Sequence, residues 1–269
     1  MRLVFVKPAV CLAYCSHNLV IHTAIVLTMP FPRDEFTYYG GCNCRAVRYR
    51  VSVPEYSSRP DNPYGQIEPT DKLPMVAICY CNNCRRAHGQ FFGFAIINKL
   101  SWVDFSLSAK STPAVSADAA GSIEANERDR DAADNKRTTS GQAPWVPASD
   151  LFDPISGPKY DDPAIEKTWL RFYSAKQGRS RGFCGRCGTH VCYFVFGSDE
   201  ELPDWWFPQL DIWASTVDRC DLEEDGGQRF AIGRQLWADY GLTWAKKFGA
   251  GETAKVVWCG GPFLESRQD

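Results

Sequence analysis

The chain has 269 residues, of which 44% are hydrophobic and 13% aromatic. This composition is sufficient for a sizeable packed core and excludes a wholly disordered protein. Thirty basic residues against 32 acidic residues give a net charge of -2. Such a balance argues against a nucleic-acid-binding function, which normally requires an excess of basic residues. Twelve cysteines are more than an ordinary protein carries unless they hold metal or form disulfides.

Residues 1–28 are mostly apolar, but polar residues at 16–18 and 22 interrupt the apolar stretch. No clean cleavage site follows, and a membrane span would need roughly 20 uninterrupted apolar residues. Met29 opens a polar segment just before the first cysteine group. We therefore expect residues 1–28 to be a disordered leader or a start-site artefact, with a weak targeting segment as the alternative. We expect a cytoplasmic protein without stable membrane association.

Residues 106–164 differ in composition from the rest of the chain. Ile123 is nearly the only large apolar residue of the stretch 108–141, and five prolines follow it. Such a segment cannot bury enough apolar surface to offset the entropy lost on ordering. We predict a single domain over 29–269 that is interrupted by a partly disordered insertion at 106–164. Part of 142–159 is expected to pack back onto the surface, because it contains several large apolar side chains.

Short segments rich in β-branched and aromatic residues dominate the remaining sequence. They predict strands at Ala46–Val53, Met75–Cys81, Phe91–Ile97, Lys167–Tyr173, Val191–Phe196, Trp206–Ile212 and Val256–Trp258. A helical period occurs only around Asn83–His88 and Gln235–Phe248. We therefore predict a mainly β fold of packed antiparallel sheets, with zinc knuckles at strand ends and minor helix.

Seven of the twelve cysteines lie in three tight groups. The groups are Cys42-x-Cys44, Cys79-x-Cys81-x-x-Cys84 and Cys184-x-x-Cys187. Disulfide scaffolds gain most from closing long loops, whereas tight groups bring several sulfurs to one point, as a tetrahedral metal requires. A reduced, zinc-binding protein is therefore favoured over a disulfide scaffold.

Cys42 and Cys44 are expected to point to the same side of a strand, because they are two residues apart. Two ligands cannot complete a tetrahedral site. Cys184 and Cys187, each followed by a glycine, form a knuckle-like pair that can supply the other two. The sequence therefore predicts a closed structural zinc site from these four residues.

Cys79, Cys81 and Cys84 can occupy three corners of a tetrahedron and leave the fourth open, as in catalytic or exchangeable zinc sites. Three thiolates and Zn²⁺ carry a net charge of about −1, so the metal is a weak Lewis acid and suits a soft ligand such as a thiol. The alternative is that His88 or Cys192 closes the site as a fourth ligand.

The order, spacing and flanking residues of these groups resemble one known family. The motifs are GGCNCRAVRY at 40–49, CYCNNCRRAHG at 79–89 and FCGRCGTH at 183–190. They are similar to those of the family named for the glutathione-dependent formaldehyde-activating enzyme (GFA) and centromere protein V. The resemblance covers 37–105 and 165 to about 248.

The resemblance implies an Mss4-like fold and two zinc ions per chain. It implies that Cys42, Cys44, Cys184 and Cys187 hold the structural ion, and that Cys79, Cys81 and Cys84 hold the catalytic one. It also implies carbon–sulfur lyase chemistry, in which glutathione joins formaldehyde to give S-hydroxymethylglutathione, or the reverse. A small-molecule thiol and an aldehyde are then the expected partners.

Three features depart from the family pattern: the insertion, His88 at a position where a small hydroxyl residue is expected, and Arg234–Trp237, where a histidine-containing pattern is expected. His88 is a candidate acid/base for the adduct's hydroxyl group, or otherwise a polar residue on a short helix. Arg85 and Arg86, with Arg45 and Arg48, are candidates for holding the carboxylates of glutathione. The alternative is that these arginines neutralise the anionic metal centres or are solvated.

Two function hypotheses follow from these residues. The first is a zinc-dependent enzyme that handles thiol–aldehyde adducts at the site formed by Cys79, Cys81 and Cys84. The second is a non-catalytic zinc module that serves as an interaction platform. A nucleic-acid partner is not expected, because 106–164 contains ten acidic and six basic residues.

Overall fold

The structure is a computed structural model, and it describes residues 31–62, 72–111, 143–198, 202, 207–224, 230 and 232–245. The predictions for residues 1–28 and for Val256–Trp258 lie outside these ranges. Among the described residues, no helix is long and apolar enough to cross a membrane.

A four-stranded antiparallel sheet forms one layer of the protein. Its order is β1-β2-β5-β6, where the strands are β1 (Phe36–Gly41), β2 (Val47–Val53), β5 (Val103–Leu107) and β6 (Trp145–Pro147). The side chains of β2 alternate between buried and more exposed positions, so one face packs inward. The period-two pattern that predicted this strand is therefore confirmed.

A seven-stranded sheet forms the second layer, in the order β13-β3-β4-β12-β11-β10-β9. Its strands are β3 (Met75–Cys79), β4 (Gly93–Lys99), β9 (Leu170–Lys176), β10 (Arg179–Cys184), β11 (His190–Val195), β12 (Gln209–Trp213) and β13 (Arg234–Leu236). All pairings are antiparallel except that of β13 with β3. A small hairpin, β7 (Phe152–Asp153) and β8 (Gly157–Pro158), lies outside both sheets.

Helices are few and short in the described part of the chain. They are α1 (Asn82–His88), α2 (Ala148–Leu151), α3 (Pro163–Glu166) and α4 (Arg219–Glu223). The prediction of a mainly β fold with minor helix is confirmed, and the helical period around Asn83–His88 corresponds to α1.

The main core lies between the two sheets. Tyr49 and Phe105 of the small sheet and Ile96, Ile212 and Phe194 of the large sheet belong to one buried cluster and are at most 1% exposed. Each fully buried side chain of this kind contributes about 1.5–3 kcal/mol relative to an exposed one. This burial fixes which face of each strand points inward.

The opposite face of the large sheet carries a second, smaller cluster. Ala95 and Trp213 lie opposite each other on β4 and β12 and pack with Cys79 and Cys84. Side chains alternate between the two faces of a strand, so Ala95 and Trp213 point to the face opposite that of their chain neighbours in the main core. The group of Cys79, Cys81 and Cys84 therefore lies on the outer face of the large sheet, away from the main core.

The helix predicted for Gln235–Phe248 is wrong at its start. Arg234–Leu236 instead forms β13, which pairs in parallel with Ala77–Cys79, and a single 3-10 turn follows at Ala238–Tyr240. Arg234 and Gln235 are 0% and 1% exposed. Pairing at the sheet edge, with Arg234 and Gln235 both buried, favours the extended chain over a helix here.

The segment 106–164 contributes directly to the fold at both of its ends. Residues 106 and 107 complete β5, and 143–164 supplies β6, the hairpin, α2 and the start of α3. Leu151 and Phe152 are at most 1% exposed and belong to the main core, whereas Ile155 is 64% exposed. Residues 112–142 lie outside the described ranges, so the prediction of disorder there stays a prediction.

Candidate metal centres

Two tight turns bring Cys42, Cys44, Cys184 and Cys187 together, and we call this group the four-cysteine cluster. In each turn the first cysteine's N–H donates to the carbonyl five residues on: Cys42 to Val47 at 2.8 Å and Cys184 to Thr189 at 2.9 Å. Such turns require a left-handed residue, which is Gly188 (φ 78°) in the second and Arg45 (φ 62°) in the first. Each turn therefore presents one pair of cysteines, and the two turns come from opposite sheets.

The sulfur positions of the four-cysteine cluster fit a tetrahedral metal. The Sγ atoms of Cys42, Cys44, Cys184 and Cys187 all lie within 4.8 Å of one another. Cys44 Sγ is 3.6 Å from both Cys42 Sγ and Cys184 Sγ. Four thiolates around zinc at 2.3 Å would lie about 3.8 Å apart. The cluster can therefore hold a zinc ion, and the predicted meeting of these two pairs is observed.

Hydrogen-bond donors surround the sulfurs of the four-cysteine cluster. The Val47 N–H lies 3.3 Å from Cys42 Sγ, and the Arg186 N–H lies 3.4 Å from Cys184 Sγ. Donors of this kind stabilise the thiolate over the thiol. Hydrogen bonds from Cys42 and from backbone N–H groups lower the pKa of Cys184 to about 5.

The second group, which we call the three-cysteine cluster, comprises Cys79, Cys81 and Cys84. Cys79 ends β3, Cys81 is the N-cap of α1, and Cys84 lies in the first turn of that helix. Cys81 Sγ is 3.5 Å from Cys79 Sγ and accepts a hydrogen bond from the Cys84 N–H at 3.3 Å. The strand–helix junction itself therefore brings three sulfurs to one point, and they too can hold a metal ion.

The three-cysteine cluster has one preferred thiolate. The side chains of Cys79 and Cys84 donate to Cys81, and with backbone N–H groups they lower the pKa of Cys81 to about 3. Cys79 and Cys84 are 8% and 6% exposed, whereas Cys81 is more accessible. The negative charge of the metal-free cluster is therefore concentrated on its most accessible sulfur.

Neither residue considered as a fourth ligand joins this cluster. Among the described histidines, cysteines and acidic residues, only Cys79, Cys81 and Cys84 bring their ligand atoms within 4.8 Å of one another at this site. Cys192 is fully buried in the main core, on the other face of the sheet. In the described part of the chain, the three-cysteine cluster is therefore a three-ligand site.

His88 ends α1 beside this cluster. Its ring centroid lies 3.8 Å from that of Trp213 and 5.4 Å from that of His190. Burial lowers the pKa of His88 to about 4, and the charges of His190 and Arg181 act in the same direction. His88 is therefore neutral at pH 7 and placed at the edge of the site, where its predicted acid/base role stays a prediction.

Three of the four arginines considered as carboxylate ligands have different surroundings, and the fourth, Arg45, lies in the turn that holds Cys42 and Cys44. Arg48 donates to both carboxylate oxygens of Asp218, at 2.9 and 2.5 Å, and this ion pair already occupies its guanidinium group. Arg86 is exposed on α1, while Arg85 is partly buried and its Nε has no partner among the described residues. Arg85 and Arg86 are close to the three-cysteine cluster in sequence, and their predicted binding role is not tested by these contacts.

Arg181 and Trp213 also border this site, although sequence reasoning did not single them out. Trp213 packs in the cluster that contains Cys79 and Cys84. Arg181 lies over the ring of Tyr193, with its Cζ 5.0 Å from the ring centroid. The sequence contains one signal for Arg181, since it lies three residues before Cys184 in a strand. Trp213 could be found only from the strand pairing.

The fold and the two clusters define this chain as a mainly β protein with two cysteine groups that can each hold a metal ion. Comparison with models of known protein families and with curated proteins gave no match. The expected membership in the formaldehyde-activating family therefore rests on the sequence motifs alone.

Proposed function

We propose that the chain is a zinc-dependent enzyme that handles thiol–aldehyde adducts at the three-cysteine cluster. The observation that carries this proposal is a group of three converging sulfurs with no fourth ligand among the described residues. The separate four-cysteine cluster can serve the structural role. A protein that needed metal only for stability would gain from closing both sites.

Zinc held by three thiolates offers a fourth position that favours a soft ligand such as thiol sulfur. In the forward reaction the thiol sulfur attacks the carbonyl carbon of formaldehyde, and a carbon–sulfur bond forms. The π-electron pair of the carbonyl moves to oxygen, and the proton lost by the thiol ends on that oxygen. The product is a hydroxymethyl thioether, so no oxidant or reductant is needed.

The chain's own residues supply the surroundings of this step. His88 is neutral, so its imidazole can accept the thiol proton or hydrogen-bond the adduct's hydroxyl group. Trp213 forms a wall that is 3% exposed and excludes water from one side. These roles support an adduct chemistry that requires one proton transfer and a sheltered sulfur.

The similarity of the three cysteine motifs to the formaldehyde-activating family supplies the substrate pair of the proposal. Glutathione and formaldehyde are the substrates that this resemblance implies, and an Mss4-like fold is the architecture it implies. The observed two-sheet arrangement with knuckles on opposite sheets is compatible with that assignment.

The test is zinc analysis combined with an exchange measurement. The full chain should contain about two zinc ions, and Cys81→Ser should contain about one. NMR exchange spectroscopy should show that the wild type speeds interconversion of glutathione and S-hydroxymethylglutathione, and that Cys81→Ser does not. Cys192→Ala is the matched control, because it removes a buried thiol that belongs to neither cluster.

Two zinc ions without any acceleration, for glutathione or for smaller thiols, would contradict the enzyme proposal. The non-catalytic zinc module would then be the better description. Zinc content that is the same in the wild type and in Cys81→Ser would also contradict it, because the three-cysteine cluster would then hold no metal.

A further inference from the structure

Four buried nitrogen atoms beside the three-cysteine cluster have no hydrogen-bond partner among the described residues. They are His88 Nε2, His190 Nδ1, Trp213 Nε1 and Arg181 Nε. Buried polar atoms are normally paired, since an unpaired one costs about 1–3 kcal/mol. We call these four residues the nitrogen cluster and ask which ligand would satisfy them.

Contacts connect the nitrogen cluster to the three-cysteine cluster. A side chain added at Gly93 would meet Trp213 Cζ3 at 3.0 Å, Cys84 Cβ at 3.2 Å and His88 Cδ2 at 3.4 Å. All three groups therefore surround one point of β4. His190 lies next to His88, and the centroids of the two rings are 5.4 Å apart.

Arg181 supplies the charge of this cluster. It is 5% exposed. It lies on β10 opposite Tyr193 of β11, and its guanidinium group lies over the Tyr193 ring. Tyr193 in turn lies 6.5 Å from Trp213, centroid to centroid. The charge of Arg181 also acts on Cys84 and on both histidines.

No carboxylate of the described residues forms an ion pair with Arg181. Asp211 lies across from Tyr193 on the neighbouring strand, and burial raises its pKa to about 7, so it is only partly ionised at neutral pH. The sulfurs of the three-cysteine cluster supply negative charge nearby, but the buried Nε–H of Arg181 still lacks a hydrogen-bond acceptor among the described residues, which is costly. The site therefore favours an anion that brings its own acceptor oxygens.

We propose that the nitrogen cluster binds the carboxylate of a thiol whose sulfur is held at the three-cysteine cluster, so that the preferred substrates are small mercaptocarboxylates. This proposal rests on the proposed function, because it names the substrate class of the same site. The planar guanidinium fork of Arg181 matches a carboxylate, and the indole N–H of Trp213 adds a donor. Each neutral histidine can place its proton on the nitrogen that faces the ligand.

The test compares ligands that differ in one group. Calorimetric titrations of the zinc-loaded full chain use 3-mercaptopropionate, the uncharged 3-mercapto-1-propanol, and propionate, which lacks sulfur. We expect 3-mercaptopropionate to bind about tenfold more tightly than the alcohol, because hydrogen bonds to charged groups contribute at least this factor. Equal affinity of the two thiols for the wild type would overturn the proposal without any variant.

Arg181→Gln should bring the ratio of the affinities for 3-mercaptopropionate and 3-mercapto-1-propanol close to one, and this ratio is the readout because the charge of Arg181 also acts on Cys84. The matched control is Arg179→Gln, which removes the same charge two residues away on β10, where Arg179 donates to the Gly178 carbonyl. A preference that survives Arg181→Gln, or that is lost equally in Arg179→Gln, would overturn the assignment to Arg181.

Failure of this proposal and failure of the proposed function give different results. If thiols bind without a carboxylate preference, only the carboxylate site is wrong. If neither thiol binds but propionate binds to the wild type and not to Arg181→Gln, the carboxylate site stands and the thiol function fails. If none of the three ligands binds, both proposals are overturned.

Discussion

Arg48 and Asp218 form a bidentate ion pair between β2 and the segment that follows β12. The two hydrogen bonds measure 2.9 and 2.5 Å, and the side chains are 12% and 9% exposed. The residues are 170 positions apart in sequence. The pair therefore ties the small sheet to the segment that follows β12, the central strand of the large sheet, and it gives the Arg48 guanidinium group a structural partner.

Arg48→Ala should lower the free energy of unfolding by about 3–5 kcal/mol, because it leaves the buried Asp218 carboxylate without a counter-charge. Urea unfolding followed by circular dichroism measures this loss. Arg50→Ala on the same strand is the control: its pair with Asp104 is more exposed, so we expect a loss below about 1 kcal/mol. Similar losses in the two variants would contradict a special role for Arg48.

Cys187→Ser should remove about one zinc ion per chain and unfold the domain at room temperature. Structural zinc contributes about 10–16 kcal/mol in small zinc domains, which exceeds the stability of a typical domain. Metal analysis and circular dichroism of the purified variant measure both effects. Cys192→Ala should keep two zinc ions and the native spectrum, and a folded Cys187→Ser with unchanged zinc content would exclude a metal site at the four-cysteine cluster.

Gly40→Ala should destabilise the fold by about 2–3 kcal/mol. A Cβ atom at this position would overlap the Tyr49 hydroxyl and the carbonyl oxygen of Thr216, and the second of these is backbone that cannot rotate away. Thermal unfolding measures the change. Gly89→Ala is the comparison: no heavy atom lies within 4 Å of its added Cβ, so only the left-handed backbone (φ 60°) should cost about 1 kcal/mol. Gly40→Ala should be the less stable of the two.

The stability of the protein should depend on the ionisation of Asp211. Burial raises its pKa to about 7, above the value of about 3.9 in an unfolded chain, so the folded state binds more protons between these values. The contribution of Asp211 to the free energy of unfolding should therefore fall as pH rises from about 4 to 7. The slope of this contribution should not exceed about 1.4 kcal/mol per pH unit, because a single carboxyl group changes the number of bound protons by at most one.

Asp211→Asn should remove this contribution and stabilise the protein more at pH 7.5 than at pH 5. Urea unfolding of the wild type and the variant at both pH values measures the difference. An equal difference at the two pH values would show that Asp211 titrates near its ordinary pKa in the folded state.

The sequence alone was sufficient for features that depend on nearby residues. The alternation of β2 predicted a strand that the structure confirms, and the spacing of Cys79, Cys81 and Cys84 predicted a three-sulfur group. Cys81 caps α1, and the side chains of Cys79 and Cys84 point to its sulfur, because all three residues lie within a six-residue segment. Geometry of this kind depends on the backbone preferences of neighbouring residues, so it can be predicted from the sequence.

Other features depended on strand pairing and were missed or misjudged. The segment beginning at Gln235 has a helical period but forms part of β13, because an open sheet edge was available for it beside β3. Likewise, the C-terminal part of the segment 106–164 packs into the main core at Leu151 and Phe152. Burial by distant residues outweighed the local pattern in both places.

The sequence by itself therefore determined the mainly β class and which cysteines can act together. Only the tertiary structure decided what surrounds them: Trp213 and Arg181 next to the three-cysteine cluster, and Arg48 paired with Asp218. The physical reason is that these neighbours lie on strands whose order and register result from burying the main core. Contacts across such strands join residues far apart in sequence, and no local spacing encodes them.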